Sequence, residues 1–143
     1  MASATAALEG ITTENLFDRY HASWEAKDPD QIAALHSKDS VFCLHDGSPV
    51  VTGRDPLRDH CRQMFQTYEF SMEMGRRLYA DDHWVFEWMM ILPLVEPDGT
   101  AFTARIKMLD VVTVDADGLV SRKDIYPDSL GMAEAFSRAG IVR

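Results

Sequence analysis

The stretch RIKMLDVVTVDADG, from Arg105 to Gly118, reads as a β-strand closed by a tight turn. Its β-branched and apolar residues suit a pleated, buried surface, and DADG supplies turn chemistry. Asp110 does not fit that pattern. It sits between Leu109 and Val111, in a run that looks buried on both faces. A carboxylate there is costly unless it is paired, protonated or used.

Further strands flank this one. The spacing predicts strands at Tyr68–Leu78, His83–Val95, Phe102–Val114 and Leu119–Tyr126, joined by turns at ADDH, EPDGT and DADG. The period is helical upstream of them. Leu16, Phe17, Tyr20 and Trp24 recur at helical spacing between Thr13 and Lys27, where Thr13 and Glu14 offer a start signal. KDPD breaks that helix. A short second helix is expected next, with Ile32, Leu35 and His36 on one face. SVFCLH then reads as a strand and DGSPV as a turn. GRDPLRDHCRQMF reads as a third helix, with Asp55 as cap and Pro56 at its first position. A short closing helix is expected over Ser129–Ala139. Helices first and then a meander of antiparallel strands is an α+β layout. Three N-terminal helices packed on a curved antiparallel sheet make a cone, whose mouth is a natural apolar pocket. One domain is expected over residues 1–143, with its core between about 13 and 128.

Bulk properties narrow the function. The net charge of −9 argues against binding a phosphate backbone or an anionic membrane. The two cysteines, Cys43 and Cys61, form no Cys-x-x-Cys pair, so reduced thiols in a cytoplasmic protein are expected rather than a disulfide framework or a zinc site. The opening MASATAALEGITTEN lacks a basic and then apolar leader pattern, and no apolar run approaches the ~20 residues of a membrane span.

Several strings resemble the SnoaL-like/NTF2-like superfamily, and within it ketosteroid isomerase-like proteins. DRYHASWEAKDPDQIAALHSKDSVF looks like the opening helix pair. GRDPLRDHCRQ is similar to the Gly-Arg-led third helix. KMLDVVTVDADG is similar to the fourth long strand and its turn, and DIYPD to the aromatic-rich end of the last strand. The resemblance spans Leu16 to Asp128. It implies the cone-shaped fold, and it implies an oxyanion hole in which a first-helix tyrosine and a protonated strand aspartic acid donate to a carbonyl oxygen as charge develops on it. Those positions are Tyr20 and Asp110. The general base of ketosteroid isomerase aligns with Leu44, and two supporting tyrosines align with His36 and Cys61. An aspartate used by limonene-epoxide-hydrolase-like relatives aligns with Ile125, while Asp124 faces away by alternation.

The base is therefore open to other residues. His45 follows Leu44 and could turn inward at a bulge. His36 could be a polar pocket member. Glu87, in VFEWMMI, becomes a base if its strand parity faces the cone. The expected pocket is lined by Trp24, Leu44, Cys61, Met64, Phe65, Met89, Met108 and Ile125, a methionine-rich wall suited to an irregular apolar ligand. Trp84, Trp88 and Leu109 are placed on the convex face, where a second copy would cover them in a homodimer. The expected activity is cofactor-independent acid–base chemistry of the enolate type: isomerisation, dehydration, cyclisation or lyase cleavage. Its substrate would be a small hydrophobic cyclic or aromatic compound, with no metal and no nucleic acid or membrane partner. The alternative is a non-catalytic small-molecule-binding or assembly module.

Overall fold

The computed structural model describes residues 11–142; residues 1–10, which make up most of the stretch read for a leader, lie outside the described residues. Helix α1, Thr13–Glu25, is capped by Thr12, whose hydroxyl accepts from Asn15 N–H, one residue before the expected start. Leu16, Phe17, Tyr20 and Trp24 bury one face of it. Helix α2, Pro29–Ala34, starts at an Asp28 cap. It ends earlier than its apolar spacing suggests. Val120 N–H bonds Leu35 O, and His36 pairs with Val120, so this segment joins the sheet instead of extending the helix. His36 opens strand β1, His36–Leu44, which pairs with the short β2, Val51–Thr52.

Helix α3, Arg54–Thr67, follows Gly53, whose φ of 98° suits glycine. Asp55 is not its cap: it lies in the first turn and pairs with Arg58 at 3.1 Å, and Pro56 follows it inside the helix. Strands β3 (Ser71–Tyr79), β4 (His83–Val95), β5 (Ala101–Val114) and β6 (Val120–Pro127) form the expected meander, and α4 (Ser129–Arg138) closes it. The sheet order is β2-β1-β6-β5-β4-β3. It is not wholly antiparallel: β1 lies parallel to β6. The fold class is the α+β cone. Among the described residues, no helix is long and apolar enough to cross a membrane.

Two features of the sheet set up the site. On β4, Trp84, Phe86, Trp88, Met90 and Leu92 point into the cone. This reverses the expected placement of Trp84 and Trp88 on the convex face; of that trio only Leu109 is outside, opposite Glu87. On β3, Met74 pairs with Trp88 and Arg77 with Phe86, so three steps on β3 match two on β4. That is a bulge, and bulges bend sheets. Gly75 sits in it, where a Cβ would lie 2.6 Å from Glu87 O.

Candidate functional site

The cone encloses a cavity of about 430 Å³ whose wall is mostly aromatic and aliphatic. Its charged centre is a pair. Asp110 from β5 and Lys123 from β6 face each other at 3.6 Å, with side chains 5% and 6% exposed. The two strands pair with Asp110 opposite Ile125, so alternation aims Lys123 and Ile125 at the same side as Asp110. Trp88 on β4 donates its indole N–H to Asp110 Oδ1 at 2.9 Å. Lys123 Nζ lies 4.2 Å from the Trp24 ring centre and 4.8 Å from that of Tyr20, within cation–π range of both.

Burial raises the Asp110 carboxyl above its ordinary value, against the pull of Lys123 and Trp88. Burial also lowers the Lys123 ammonium, against the pull of Asp110. Both directions favour moving a proton from the lysine to the carboxylate. The pair therefore holds one transferable proton and no net charge in either form.

A relay leads away from it. Lys123 Nζ lies 3.4 Å from Tyr20 Oη, and Tyr20 Oη lies 2.8 Å from His36 Nε2. Burial and the Lys123 and Arg54 cations push His36 down to about 3, so it is neutral near pH 7. His36 Nδ1 is buried without a hydrogen-bond partner among the described residues. A bare ring nitrogen is cheaper there than an orphaned N–H, which assigns the proton to Nε2. His36 then donates to Tyr20 Oη, as Lys123 does. The tyrosine's own proton is left for a ligand, and its pKa is raised by burial.

The structure thus brings Tyr20 and Asp110 to one cavity, joined through Lys123. Trp24, Leu44, Met64, Met108 and Ile125 also line that cavity. His36 lies behind Tyr20 rather than on the wall. Cys61 is fully buried beside the network, its thiol pushed up to about 11 by burial. Phe65 packs edge-on against Trp24 as support.

Three expected members lie elsewhere. His45 stacks on Tyr126 with ring centres 4.1 Å apart, and its Nε2 meets Asp124 Oδ1 at 2.8 Å. The β1–β6 register runs without a break from Val41 to Leu44, so no bulge turns His45 inward. Glu87 is on the outer face, bound to Arg76 at 2.6 Å. Met89 shares that face, between Glu73 and Lys107. Cys43, His45 and Asp124 place possible metal-ligand atoms within 4.8 Å of one another on the outer face. Arg122 already holds both Asp124 oxygens, at 2.8 and 2.9 Å, and its charge competes with a cation.

Sequence reasoning missed Lys123, the inward role of Trp88, and His21, which lines the cavity and is depressed by burial. A signal for Lys123 was present: it stands two residues before Ile125 on one strand and must share its face.

Comparison with solved structures gives the same frame. A candidate SnoaL-like polyketide cyclase of Shewanella putrefaciens matches with a TM-score of 0.75 at 15% identity, over 94% of this chain and 92% of that one. A hypothetical protein of Catenulispora acidiphila with a ketosteroid isomerase-like fold, in complex with trimethylamine, matches with a TM-score of 0.70 at 16% identity, over 89% and 93%. A phenazine biosynthesis-related protein of Pseudomonas aeruginosa matches with a TM-score of 0.66 at 16% identity, over 96% and 92%. At these identities the likeness is one of fold. No functionally curated protein matches the sequence. The SnoaL-like domain family matches residues 17–123. That span runs from the buried face of α1 to Lys123 and takes in Tyr20 and Asp110, and on it the chain belongs to the SnoaL-like family.

Proposed function

We propose that this chain is a small enzyme that carries out enolate-type acid–base chemistry on an apolar cyclic or aromatic carbonyl compound. The observation that carries this reading is the Asp110–Lys123 pair, set in the wall of an otherwise largely apolar cavity. A charged pair is a poor way to stabilise a core: replacing one with apolar residues is often neutral or better. Its value lies in what it can do to a bound molecule.

The roles follow from the donors and acceptors. The Asp110 carboxylate takes a proton from the carbon beside the carbonyl. The Lys123 ammonium and the free Tyr20 hydroxyl hold the oxygen as negative charge moves onto it. Proton transfer to Asp110 and charge build-up on the substrate cancel, so the cavity stays neutral overall. That spares the cost of creating a net charge in a low-dielectric site. This adds a second part to the one first expected of Asp110, a neutral donor, because Lys123 can hold the shared proton and leave the carboxylate free to act as base. Isomerisation, dehydration, cyclisation and retro-aldol cleavage all pass through such an oxyanion. Cyclase-named and ketosteroid isomerase-like proteins among the structural neighbours support the same group of reactions. The homodimer expected from the sequence also stays a proposal, supported by the half-buried Met89, Ile91 and Leu109 on the outer face rather than by the tryptophans.

The test is deuterium exchange at the α-carbon of 2-tetralone, an apolar bicyclic ketone, followed by NMR. Asp110→Asn is expected to slow exchange by about 10²–10⁴-fold, the usual worth of a positioned general base. Tyr20→Phe is expected to slow it by up to about 10²–10³-fold, the worth of an oxyanion donor. Binding of 2-tetralone with no exchange above the buffer rate would make the chain a binding module instead.

A further inference from the structure

We propose that Lys123 is a covalent site: its amine condenses with an aldehyde or ketone held in the cone to form an imine, with Asp110 carrying the protons. The proposal rests on the carbonyl-substrate reading above and adds a chemical step to it.

Three features of the geometry point to it. First, Lys123 is inside. The chain's other lysines, Lys27, Lys38 and Lys107, are exposed, while Lys123 is 5% exposed and lines the cavity. Second, its nitrogen has a proton acceptor on one side and a hydroxyl on the other, Asp110 Oδ2 at 3.6 Å and Tyr20 Oη at 3.4 Å. An amine needs the first to become free and the second to hold the oxygen of the carbonyl whose carbon it attacks. Third, its nitrogen is buried away from water, and the loss of hydration disfavours the ammonium relative to the nucleophilic amine. The depressed Lys123 pKa agrees with this.

The step balances without any further reactant. Asp110 accepts a proton from the ammonium. The amine lone pair adds to the carbonyl carbon, and the C–O π pair becomes an alkoxide, which Tyr20 stabilises and which takes up a proton. The nitrogen loses one proton to give a neutral carbinolamine. Its hydroxyl, protonated by Asp110, leaves as water while the nitrogen lone pair forms C=N. The sum is carbonyl plus lysine ammonium to protonated imine plus water, with the Asp110 carboxylate restored and nothing oxidised or reduced. A protonated imine would then be a stronger electron sink than the parent carbonyl for removal of the neighbouring proton by Asp110.

Reductive trapping tests this. The full chain is incubated with 2-naphthaldehyde near pH 7 and reduced with borohydride, and the labelled lysine is mapped by peptide mass spectrometry. The expected result is one naphthylmethyl group per chain, placed on Lys123 in preference to Lys27, Lys38 and Lys107. Lys123→Arg should abolish that label, and Asp110→Asn should slow it. Quenching of tryptophan fluorescence by 2-naphthol, which cannot form an imine, shows whether each variant keeps its cavity. Label spread evenly over Lys27, Lys38 and Lys107, or label unchanged in a Lys123→Arg protein that still binds naphthol, overturns the proposal. If Lys123 is not labelled while Asp110-dependent exchange of 2-tetralone persists, the imine fails and the acid–base reading stands. If Lys123 is labelled and exchange is absent, the acid–base reading fails alone.

Discussion

Asp110 is costly to bury, and Lys123 is costly beside it. Each is tolerable only because of the other. Removing one partner leaves an uncompensated buried group, so Lys123→Met or Asp110→Leu alone is expected to lose about 3–5 kcal/mol of stability. The double variant, Asp110→Leu with Lys123→Met, should recover most or all of that loss while abolishing exchange of 2-tetralone. Urea unfolding of the four proteins measures the coupling. A double variant as unstable as the worse single would show that the pair holds the fold rather than serving the site. His36 gives a second residue-scale prediction, in pH. Its folded pKa of about 3 lies below the ordinary 6.5. Between those values the unfolded chain binds a proton that the native chain refuses. Stability is therefore full above about 6.5 and falls as pH drops toward 3, by up to about 1.4 kcal/mol per unit. His36→Gln should flatten that limb when urea midpoints are compared from pH 7 to 4.5. Part of the slope will remain, since burial also lowers His21 and His60. Asp98 and Asp124, held below the usual carboxylate range by hydrogen bonds, act only at lower pH.

At the scale of elements, existence was easier to read than orientation. Every long strand was legible, because β-branched and aromatic runs alternate with turn clusters such as DADG. The facing of β4 was not, and the reason is physical. Both of its faces carry apolar side chains: Trp84, Phe86 and Trp88 on one, Val85, Met89 and Ile91 on the other. Alternation fixes which residues share a face but not which face is buried. In the fold Glu87 lies on the outer face, paired with Arg76 of the neighbouring strand beside the bulge in β3. The closing turn of α2 was misread for a similar reason. Leu35 and His36 fit a helical stripe, and only pairing with Val120, far along the chain, pulls them into the sheet. The bulge itself has a residue-level signature in Gly75. A methyl group there would meet the Glu87 backbone oxygen at 2.6 Å, and neither strand can yield without shifting the ladder. Gly75→Ala is expected to destabilise the chain by about 1–3 kcal/mol, the usual cost of overpacking. It should also weaken 2-naphthol binding, because relieving the clash shifts β4 at Glu87, between Phe86 and Trp88 on the cavity wall. A variant with unchanged melting and unchanged affinity would sever the bulge from the shape of the cavity.

At the scale of the whole molecule, the cone and its layers followed from helix-then-strand order, and Tyr20 and Asp110 from matching that order to a family. The partner that defines their chemistry did not follow. A lysine in SRKDIYPD looks like any surface charge until the β5–β6 register, which sets Ile125 opposite Asp110, puts it on the same face as Asp110. The chain carries a net charge of −9 around a cavity whose charges cancel. That combination makes a definite statement about ligands. A neutral guest meets one cation and one anion at 3.6 Å, and its oxygen can take donors from Lys123 and Tyr20 without disturbing either charge. An anionic guest would leave the cone with a net negative charge, which a low-dielectric site does not tolerate. It must bring a proton with it, and Asp110, already raised by burial, is the group to receive that proton. Calorimetry of 2-naphthol and 2-naphthoate in buffers of different ionisation enthalpy separates the two cases. Near pH 7, 2-naphthol is expected to bind with no proton exchanged with the buffer. 2-Naphthoate is expected to bind more weakly and with uptake of about one proton. In Asp110→Asn the carboxylate partner is gone, so Lys123 is left to balance the guest's charge. The uptake should vanish and the preference between the two ligands should reverse. Equal proton uptake in the parent and in Asp110→Asn would show that the proton goes to another group and that the pair is not the electrostatic centre of the cone.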